Sequence, residues 1–442
     1  MLTRISKIAL VITIFLYVFH FLFFWIFEST DSFFYWAFAN FIKTGTYITA
    51  YPYNYTVPST MEPPLYSFFL FLAQLVPRAD IVIHFVQLGS ILLSGYLVFR
   101  ISESFVRKEI AKLIGIIFLL VPAHMIYTGN LVAEPTAVFF ITLYLYLLKR
   151  GSLKYLLILG AIMTLQRYNL IVFYIYAFYL NFRVMKMRVT RIFLVISLSI
   201  LIGWIFINHQ LNGSWGLSNS EGKHLYNRIL HFDKLIPPSH NPDFIDFKKI
   251  VGEDKDYFLP WWYYEPALVT ALGSEREASN LMGKVAWAAF WTNPMKYFTN
   301  NVSYFIFAHG SNPTYHDGLY LWNGNMSKNC RSLGTIEFCQ PIIKNETVFK
   351  IWDNMVEKID SFYLYISPIL NYLLLYPSIV YALYQKNILF RSFALLYLAS
   401  VMLFILVEAP LPRYTYVFTP MQVILTAFMI VRVQHYIKYR RG

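Results

Sequence analysis

The chain has 442 residues, of which 57% are hydrophobic, 19% aromatic and only 14% charged. Soluble domains average about 25% charged residues, so this composition excludes a soluble globular protein and indicates one that crosses a membrane several times. The formal net charge of +13 could suit a nucleic-acid-binding protein, but membrane topology accounts for the basic residues better.

About ten apolar stretches come close to the roughly 20 residues that a membrane-spanning helix needs. They comprise residues 7–27, 81–100, 110–128, 131–149, 154–167, 168–182, 191–208, 360–384, 390–408 and 415–434. A further apolar segment, 64–77, is predicted to form a re-entrant or interfacial helix ahead of the second span.

The short loops between these stretches differ in charge. With a cytoplasmic N-terminus, about half of the Lys and Arg residues fall in the cytoplasmic segments, as the positive-inside rule requires. Only Glu103 and Glu109 among the 24 acidic residues share that side. We therefore expect both termini in the cytoplasm. The first stretch lacks a small-residue cleavage site and is kept as a span rather than a signal peptide.

The predicted organisation is one membrane domain with a large outer insertion. Residues 1–208 form an N-terminal membrane module of about seven spans, whose first outer loop is 28–80. Residues 209–359 form an extracytoplasmic segment that is mainly helical or irregular, and residues 360–442 form a C-terminal module of about three spans. We expect helices over 274–291 and 294–308, and such a structured insertion is more often functional than a passive linker.

The stretch TDSFFYWAFANFIKTGTY (residues 30–47) predicts a short helix in the first outer loop. Ser29 or Thr30 can cap it, Asp31 lies in its first turn, and Gly45 ends it. Apolar residues at helical spacing predict a single apolar face lying in the membrane interface. These residues are Phe34, Phe38, Phe41 and Ile42.

Ionisable residues gather at the outer ends of the predicted spans. Such groups are expensive at membrane depth and mark functional sites. They comprise Asp31, Lys43, Glu62, Glu134, Arg167, Glu408 and Arg413. Structural interpretations also stand. Asp31 and Glu134 can offset helix dipoles, worth about 0.3–1 kcal/mol each. Arg167 can be a snorkelling anchor, Glu408 can pair with Arg413, and Lys43 can be a solvated helix end.

The remaining chemistry-bearing residues point to few sites. Cys330 and Cys339 both fall in the outer segment, which favours an oxidising compartment and one disulfide, with two free thiols as the alternative. His309, His316 and Asp317 lack zinc-like spacing. The sequence has no phosphate-binding loop and no GxSxG elbow, so nucleotide-driven chemistry has no visible site.

The order of motifs resembles a known family. It comprises Asp31 after the first span, Gly45-Thr-Tyr47, Glu62-Pro-Pro-Leu-Tyr66, Ala133-Glu-Pro135, Gln166-Arg-Tyr168 and Pro412-Arg-Tyr414. This order resembles the membrane glycosyltransferases of the GT-C superfamily, most closely the family 39-like group with protein O-mannosyltransferases and aminoarabinose transferases. The similarity covers residues 7–208 and 360–434. Many relatives carry two adjacent acidic residues in the first outer loop, whereas Ser32 follows Asp31 here.

The resemblance implies an all-α GT-C fold with interfacial helices in the first outer loop. It also implies an inverting transfer of a sugar from an undecaprenyl- or dolichyl-phosphate donor to an outer acceptor hydroxyl. Asp31 would be the base. Glu62, Glu134 and Tyr66 would orient the sugar or acceptor. Arg167 and Arg413, with Lys43 as a third candidate, would bind the lipid phosphate. No cofactor is implied with certainty, and a divalent metal on Asp31 and Glu62 stays open.

The implied location is the plasma or inner membrane, or the endoplasmic reticulum, with the active site on the extracytoplasmic side. The implied partners are the lipid-linked donor, a lipid, glycan or protein acceptor, and membrane lipids, but no nucleic acid. Two alternatives remain. A transporter or flippase of a lipid-linked substrate would need a polar path through the bilayer. A ligase or oligosaccharyltransferase would move whole glycans, and PWWYYEP (260–266) faintly resembles the Trp-rich motif of that class. Neither the sugar nor the acceptor can be identified from the sequence.

Overall fold

The structure, a computed structural model, is all-α over the residues that it describes. Those residues are 2–23, 31–47, 58–182, 188–310 without 254, scattered positions between 345 and 366, 369–407 and 413–441. Within these ranges the chain forms helices joined by turns and contains no strand, as the fold-class prediction requires.

The helices follow one another along the chain in three groups. The N-terminal group is α1 (Leu2–Phe23), α2 (Ser32–Thr44), α3 (Pro64–Ala73), α4 (Ala79–Ser102), α5 (Lys108–Leu119), α6 (Pro122–Thr128), α7 (Glu134–Lys149), α8 (Leu153–Gln166), α9 (Ile171–Phe182) and α10 (Arg188–Asn212). The middle group is α11 (Glu221–Tyr226), α12 (Pro242–Val251), α13 (Trp261–Leu272), α14 (Glu275–Phe290) and α15 (Pro294–Gly310). The last group is α16 (Tyr376–Tyr384), α17 (Ile388–Val407), α18 (Arg413–Tyr416) and α19 (Thr419–Arg441).

Several helices are suited to a membrane. Among the described residues, α1, α4, α10 and α17 are long and apolar enough to cross it, and α5 with α6 would make a further span if the bent pair is counted as one. Shorter apolar helices, including α3 and α8, accompany them. The protein is therefore a membrane protein, whereas the count of about ten spans, the topology and the three-part division stay predictions.

The predicted continuous span over 110–128 is wrong in one respect. The helix breaks between α5 and α6, which meet at 51°. Pro122 causes the break, because proline has no N–H to donate to the carbonyl four residues back and its ring clashes with the preceding turn. Val121, just before it, is extended (φ −63°, ψ 118°), as residues before proline prefer.

Helix α2 begins and ends near where the sequence predicts. Gly45 terminates it in the left-handed region (φ 74°) and donates its N–H to the Phe41 carbonyl at 2.8 Å. The prediction of a single apolar face is wrong over residues 34–39, which are all buried, whereas the position of the helix at the membrane interface stays a prediction. Tyr35 packs edge-on against Tyr66 of α3, and Phe38 packs against Trp204 of α10. Protein therefore covers residues 34–39 of the helix on several sides, whereas residues 42–44 are exposed.

The α8–α9 hairpin is closely packed. A Cβ added at Gly160 would lie 2.8 Å from Cα of Tyr174, so glycine is needed where the two helices meet. The Tyr144 hydroxyl of α7 donates to the Phe173 carbonyl at 2.9 Å. These contacts fix the turn between α8 and α9, and Arg167 lies in that turn.

Candidate active site

Glu134 and Arg167 lie at the ends of short helices. α7 has 16 residues and α8 has 14, which correspond to lengths of about 24 and 21 Å. The hydrocarbon core is about 30 Å thick. Each helix is therefore shorter than that thickness, and Glu134 and Arg167 lie at the same end of the α7–α8 pair.

These two residues form a buried ion pair. Arg167 Nη1 donates to Glu134 Oε1 at 2.6 Å, and the side chains are 11% and 3% exposed. Glu134 begins α7 and Arg167 follows the last residue of α8 in an extended conformation. Gln166 Nε2 donates to the Ala133 carbonyl at 3.0 Å, so a second bond ties the two segments together. The pair contradicts the snorkelling interpretation of Arg167, because a snorkelling side chain would reach toward water.

Asp31 is held beside the segment that leads to Glu134. It is the residue before α2, is half-buried, and makes no capping hydrogen bond with its side chain. The next residue, Ser32, donates its Oγ hydrogen bond to the Leu131 carbonyl at 2.7 Å. Because Leu131 precedes Glu134 by only three residues, the two carboxylates come from adjoining segments.

Glu62 is placed by its own segment, residues 58–62. The Tyr168 hydroxyl donates to the Thr60 carbonyl at 3.1 Å, and the Thr60 hydroxyl donates to Asn208 Oδ1 at 2.7 Å. Pro63 is extended and leads into α3 at Pro64. The residue after Arg167 therefore anchors the backbone two residues before Glu62.

Tyr35 is affected electrostatically by the four charged residues described above. It is buried in α2, and burial raises its pKa well above the usual value of a phenol. The charge of Glu62 raises that pKa further, that of Arg167 lowers it, and those of Glu134 and Asp31 raise it. One hydroxyl thus lies within electrostatic range of Asp31, Glu62, Glu134 and Arg167. Sequence analysis missed Tyr35, because an aromatic residue in an apolar helix gives no signal of a polar site.

The outer segment contacts the same region. Glu275, at the start of α14, accepts a hydrogen bond from Ser59 Oγ at 2.9 Å and one from Asn219 Nδ2 at 3.2 Å. Lys223 is fully buried and forms ion pairs with Glu265 and Glu275. This network fastens the segment that carries Glu62 to the outer helices. No sequence pattern predicted it.

The other predicted residues are placed differently. Tyr66 is buried, and its hydroxyl donates to Gln87 Oε1, so it supports α4 and lies at the edge of the site through its contact with Tyr35. Lys43 is exposed and its ammonium donates to the Gln74 carbonyl at 3.4 Å. It is twelve residues from Asp31, or about 18 Å along α2, so the structure does not bring it to the site.

Some predictions fall outside what the structure describes. Arg413 is the first residue of α18. The structure describes its backbone but not its side chain. Glu408, Cys330 and Cys339 lie outside the described residues, so the predicted disulfide stays a prediction.

A metal ion would need several ligating side chains close together. Within the described ranges, no group of three His, Cys, Asp or Glu side chains lies together as a metal site would require. The possible metal ligands remain the two carboxylates of Asp31 and Glu62, and metal use stays open.

Comparison with known proteins gives structural neighbours only. No protein-family model and no curated protein matches the chain. The chain is similar to two crystal structures of ArnT from Cupriavidus metallidurans. The structure bound to undecaprenyl phosphate is 11% identical with a TM-score of 0.38, and the apo structure is 13% identical with a TM-score of 0.34. Each similarity covers 97% of this chain and 77% of the other.

Proposed function

We propose that the protein is an inverting GT-C glycosyltransferase that moves a sugar from a polyprenyl-phosphate donor to an extracytoplasmic hydroxyl. The observation that supports this proposal most is the buried Arg167–Glu134 ion pair at 2.6 Å. Hydrogen bonds from Ser32 to Leu131 and from Tyr168 to Thr60 hold the segments that carry Asp31 and Glu62 next to this pair. Three carboxylates and an arginine at membrane depth are costly. A lipid-borne phosphate with a polar sugar would use that combination.

Arg167 is the phosphate-binding residue in this proposal. A guanidinium has five N–H donors in a planar fork and suits phosphate oxygens. Glu134 engages Nη1 at 2.6 Å, which fixes the plane of the fork before the donor arrives. Because the pair is largely buried, each hydrogen bond to the lipid phosphate would form at low dielectric, where such contacts are strongest. Arg413, whose helix follows α17, is the second candidate for this role.

Asp31 is the proposed general base. The acceptor oxygen attacks the anomeric carbon of the sugar while its proton passes to the Asp31 carboxylate. The bond between that carbon and the phosphate oxygen breaks, and its electron pair leaves with the lipid phosphate, which Arg167 stabilises. Attack from the side opposite the phosphate inverts the configuration at this carbon.

Glu62 and Glu134 are the proposed orienting groups. Carboxylates accept hydrogen bonds from sugar hydroxyls, and several fixed acceptors would hold the donor in one attack geometry. Glu62 is restrained by Pro63 and by the bonds on Thr60, and Glu134 by Arg167. The structure of ArnT with undecaprenyl phosphate concerns a protein with the same class of lipid ligand.

The first experiment tests lipid recognition. The full chain in nanodiscs is heated with undecaprenyl phosphate or with undecaprenol, which lacks the phosphate. A ligand that binds the folded protein raises its unfolding temperature. We expect a rise with the phosphate lipid alone and a smaller rise for Arg167→Gln. Arg188→Gln removes an exposed basic residue at the far end of α10 and serves as the matched control.

The second experiment tests transfer. Membranes with the chain receive a panel of radiolabelled undecaprenyl-phosphate sugars, and the release of undecaprenyl phosphate with label on an acceptor is measured. Movement of intact lipid-linked sugar between leaflets, without cleavage of the sugar–phosphate bond, would replace the proposal with a flippase. Transfer of a whole glycan from a lipid-linked oligosaccharide, with no transfer of single sugars, would replace it with a ligase or oligosaccharyltransferase.

A further inference from the structure

Helix α15 carries an exposed apolar stripe. Met295, Phe298, Val302 and Ile306 recur at spacings of three and four residues, so they share one face of the helix. They are 69%, 54%, 66% and 40% exposed. An exposed row of four large apolar side chains is uncommon on a surface that faces water, and it marks a surface that meets protein or lipid.

Two hydrogen bonds to α17 fix the depth of α15. The Tyr297 hydroxyl donates to the carbonyl of Leu406, one residue before the end of α17. Twelve residues later, His309 Nε2 is hydrogen-bonded to the Tyr397 hydroxyl, halfway along the 20-residue α17. α17 is one of the candidate spans. α15 therefore runs beside it from one end to its middle, over about 18 Å.

The last carbonyl groups of α15 accept hydrogen bonds from other segments of the protein. A helix terminus in the bilayer needs partners for its last carbonyl groups, because lipid offers none. Asn371 Nδ2 donates to the His309 carbonyl at 2.5 Å, and the Thr415 hydroxyl donates to the Ala308 carbonyl at 3.1 Å. These bonds come from segments before α16 and within α18. A helix that ended in water would not need such caps.

The sequence of α15 agrees with this depth. After Lys296 the helix reads YFTNNVSYFIFAHG and contains no Asp, Glu, Lys or Arg. Asn301 faces inward and accepts from Arg228 Nη2 at 2.5 Å, and the Thr299 hydroxyl donates to the Lys296 carbonyl at 3.0 Å. The side chains of Asn301 and Thr299 are thus bonded to protein groups, while the apolar stripe is exposed.

We propose that α15 inserts into the outer leaflet to about the middle of the bilayer and that its stripe contacts lipid acyl chains. Trp287 and Trp291, both exposed near the start of the helix, lie at the lipid–water boundary, where tryptophan is enriched. The occupant is lipid because α15 runs beside α17, a candidate span, and has no charged side chain after Lys296. This inference does not rest on the proposed glycosyltransferase activity. If it is correct, α15 does not belong to the predicted extracytoplasmic segment, residues 209–359.

Spin labels test the depth directly. Single cysteines are introduced at four positions in the full chain and labelled with a nitroxide in proteoliposomes, and collisions with oxygen and with a water-soluble nickel chelate are compared. The positions are Trp291, Phe298, Val302 and Ile306. Two exposed controls bracket the range: Lys249 of α12 represents water and Leu395 of α17 represents lipid. The chain without an introduced cysteine, treated with the same nitroxide reagent, gives the background from Cys330 and Cys339.

We expect the ratio of oxygen to nickel collisions to rise from Trp291→Cys to Ile306→Cys and to reach the value at Leu395→Cys. Nickel accessibility at Val302 equal to that at Lys249→Cys would overturn the proposal and place the stripe in water. Low accessibility to both reagents would also overturn it and indicate cover by protein, such as a second copy of the chain. Thermal unfolding of each labelled variant confirms that the helix is still packed.

Discussion

Replacing both partners of the Arg167–Glu134 ion pair separates a structural role of Arg167 from phosphate binding. Three variants are compared: Arg167→Gln, Glu134→Gln and the double variant. Either single change leaves one largely buried charge without its partner, since the two side chains are 11% and 3% exposed. Breaking a buried pair in this way costs about 3–5 kcal/mol.

The double variant should recover most of that stability. Two neutral amides of similar size can keep a hydrogen bond where the ion pair lay at 2.6 Å, and replacing both partners is often nearly neutral. Lipid binding should behave differently. Loss of hydrogen bonds from a charged group, worth about 1.5–3 kcal/mol, weakens binding of undecaprenyl phosphate by about 10- to 100-fold, and the double variant should not restore it.

Unfolding of the purified chain, titrated with denaturant in detergent, gives the stability of each variant, and native mass spectrometry gives the lipid affinity. The control is Arg188→Gln, which should change neither quantity. A double variant that is stable and also binds undecaprenyl phosphate with wild-type affinity would refute the reasoning, because Arg167 would then serve only to neutralise Glu134.

Three further predictions concern single residues. Asp31→Asn should lower transfer by about 10²- to 10⁴-fold while folding and lipid binding stay normal, and near-normal transfer by a folded variant would remove Asp31 as the base. Lys43→Gln should change lipid affinity and stability by less than about 0.5 kcal/mol, because Lys43 is exposed at the far end of α2; a large loss of affinity would show that the lipid phosphate reaches that end. Gly222→Ala should destabilise the outer helices by about 1–3 kcal/mol or more in a thermal unfolding assay, because the new Cβ would lie 1.8 Å from the Ser279 carbonyl oxygen. Gly203→Ala is the matched control, since nothing lies within 4 Å of its added Cβ, and equal unfolding temperatures for the two variants would contradict the packing of α11 on α14.

Local signals in the sequence predict local structure well. Gly45 ends α2 because a helix terminus often needs a residue that tolerates positive φ, and its φ is 74°. The same reasoning fails for the environment of α2. Hydrophobic spacing predicts one apolar face, whereas Tyr66 and Trp204 cover other sides of the helix. Contacts from distant helices decide which surface is buried, and helical periodicity carries no information about them.

The site was predictable in part for a similar reason. Charged residues at membrane depth stand out in an apolar chain, so Asp31, Glu62, Glu134 and Arg167 could be selected from their positions. The sequence did not show that Glu134 is the partner of Arg167. The two residues are 33 positions apart, and the ends of several other helices also carry carboxylates. The bond from Ser59 to Glu275 spans 216 residues, and only the packed structure reveals it.

The depth of α15 illustrates a limit of hydropathy. This helix has 17 residues and contains Lys296 and two asparagines, so it resembles a helix of the outer segment. Its contacts with α17 indicate otherwise, since Asn301 is bonded inside the protein. A polar residue that is satisfied by a neighbouring helix lowers the hydropathy of a segment without excluding it from the bilayer.

Whether Arg167 binds a lipid phosphate beside Asp31 can be seen in an experimental structure of the full chain in nanodiscs with undecaprenyl phosphate. We expect density for a phosphate group within hydrogen-bonding distance of the Arg167 guanidinium, with Asp31 across the site and the polyprenyl chain leading into the bilayer. A continuous polar tunnel through the membrane, without lipid phosphate beside Arg167 and Asp31, would contradict it and favour a transporter.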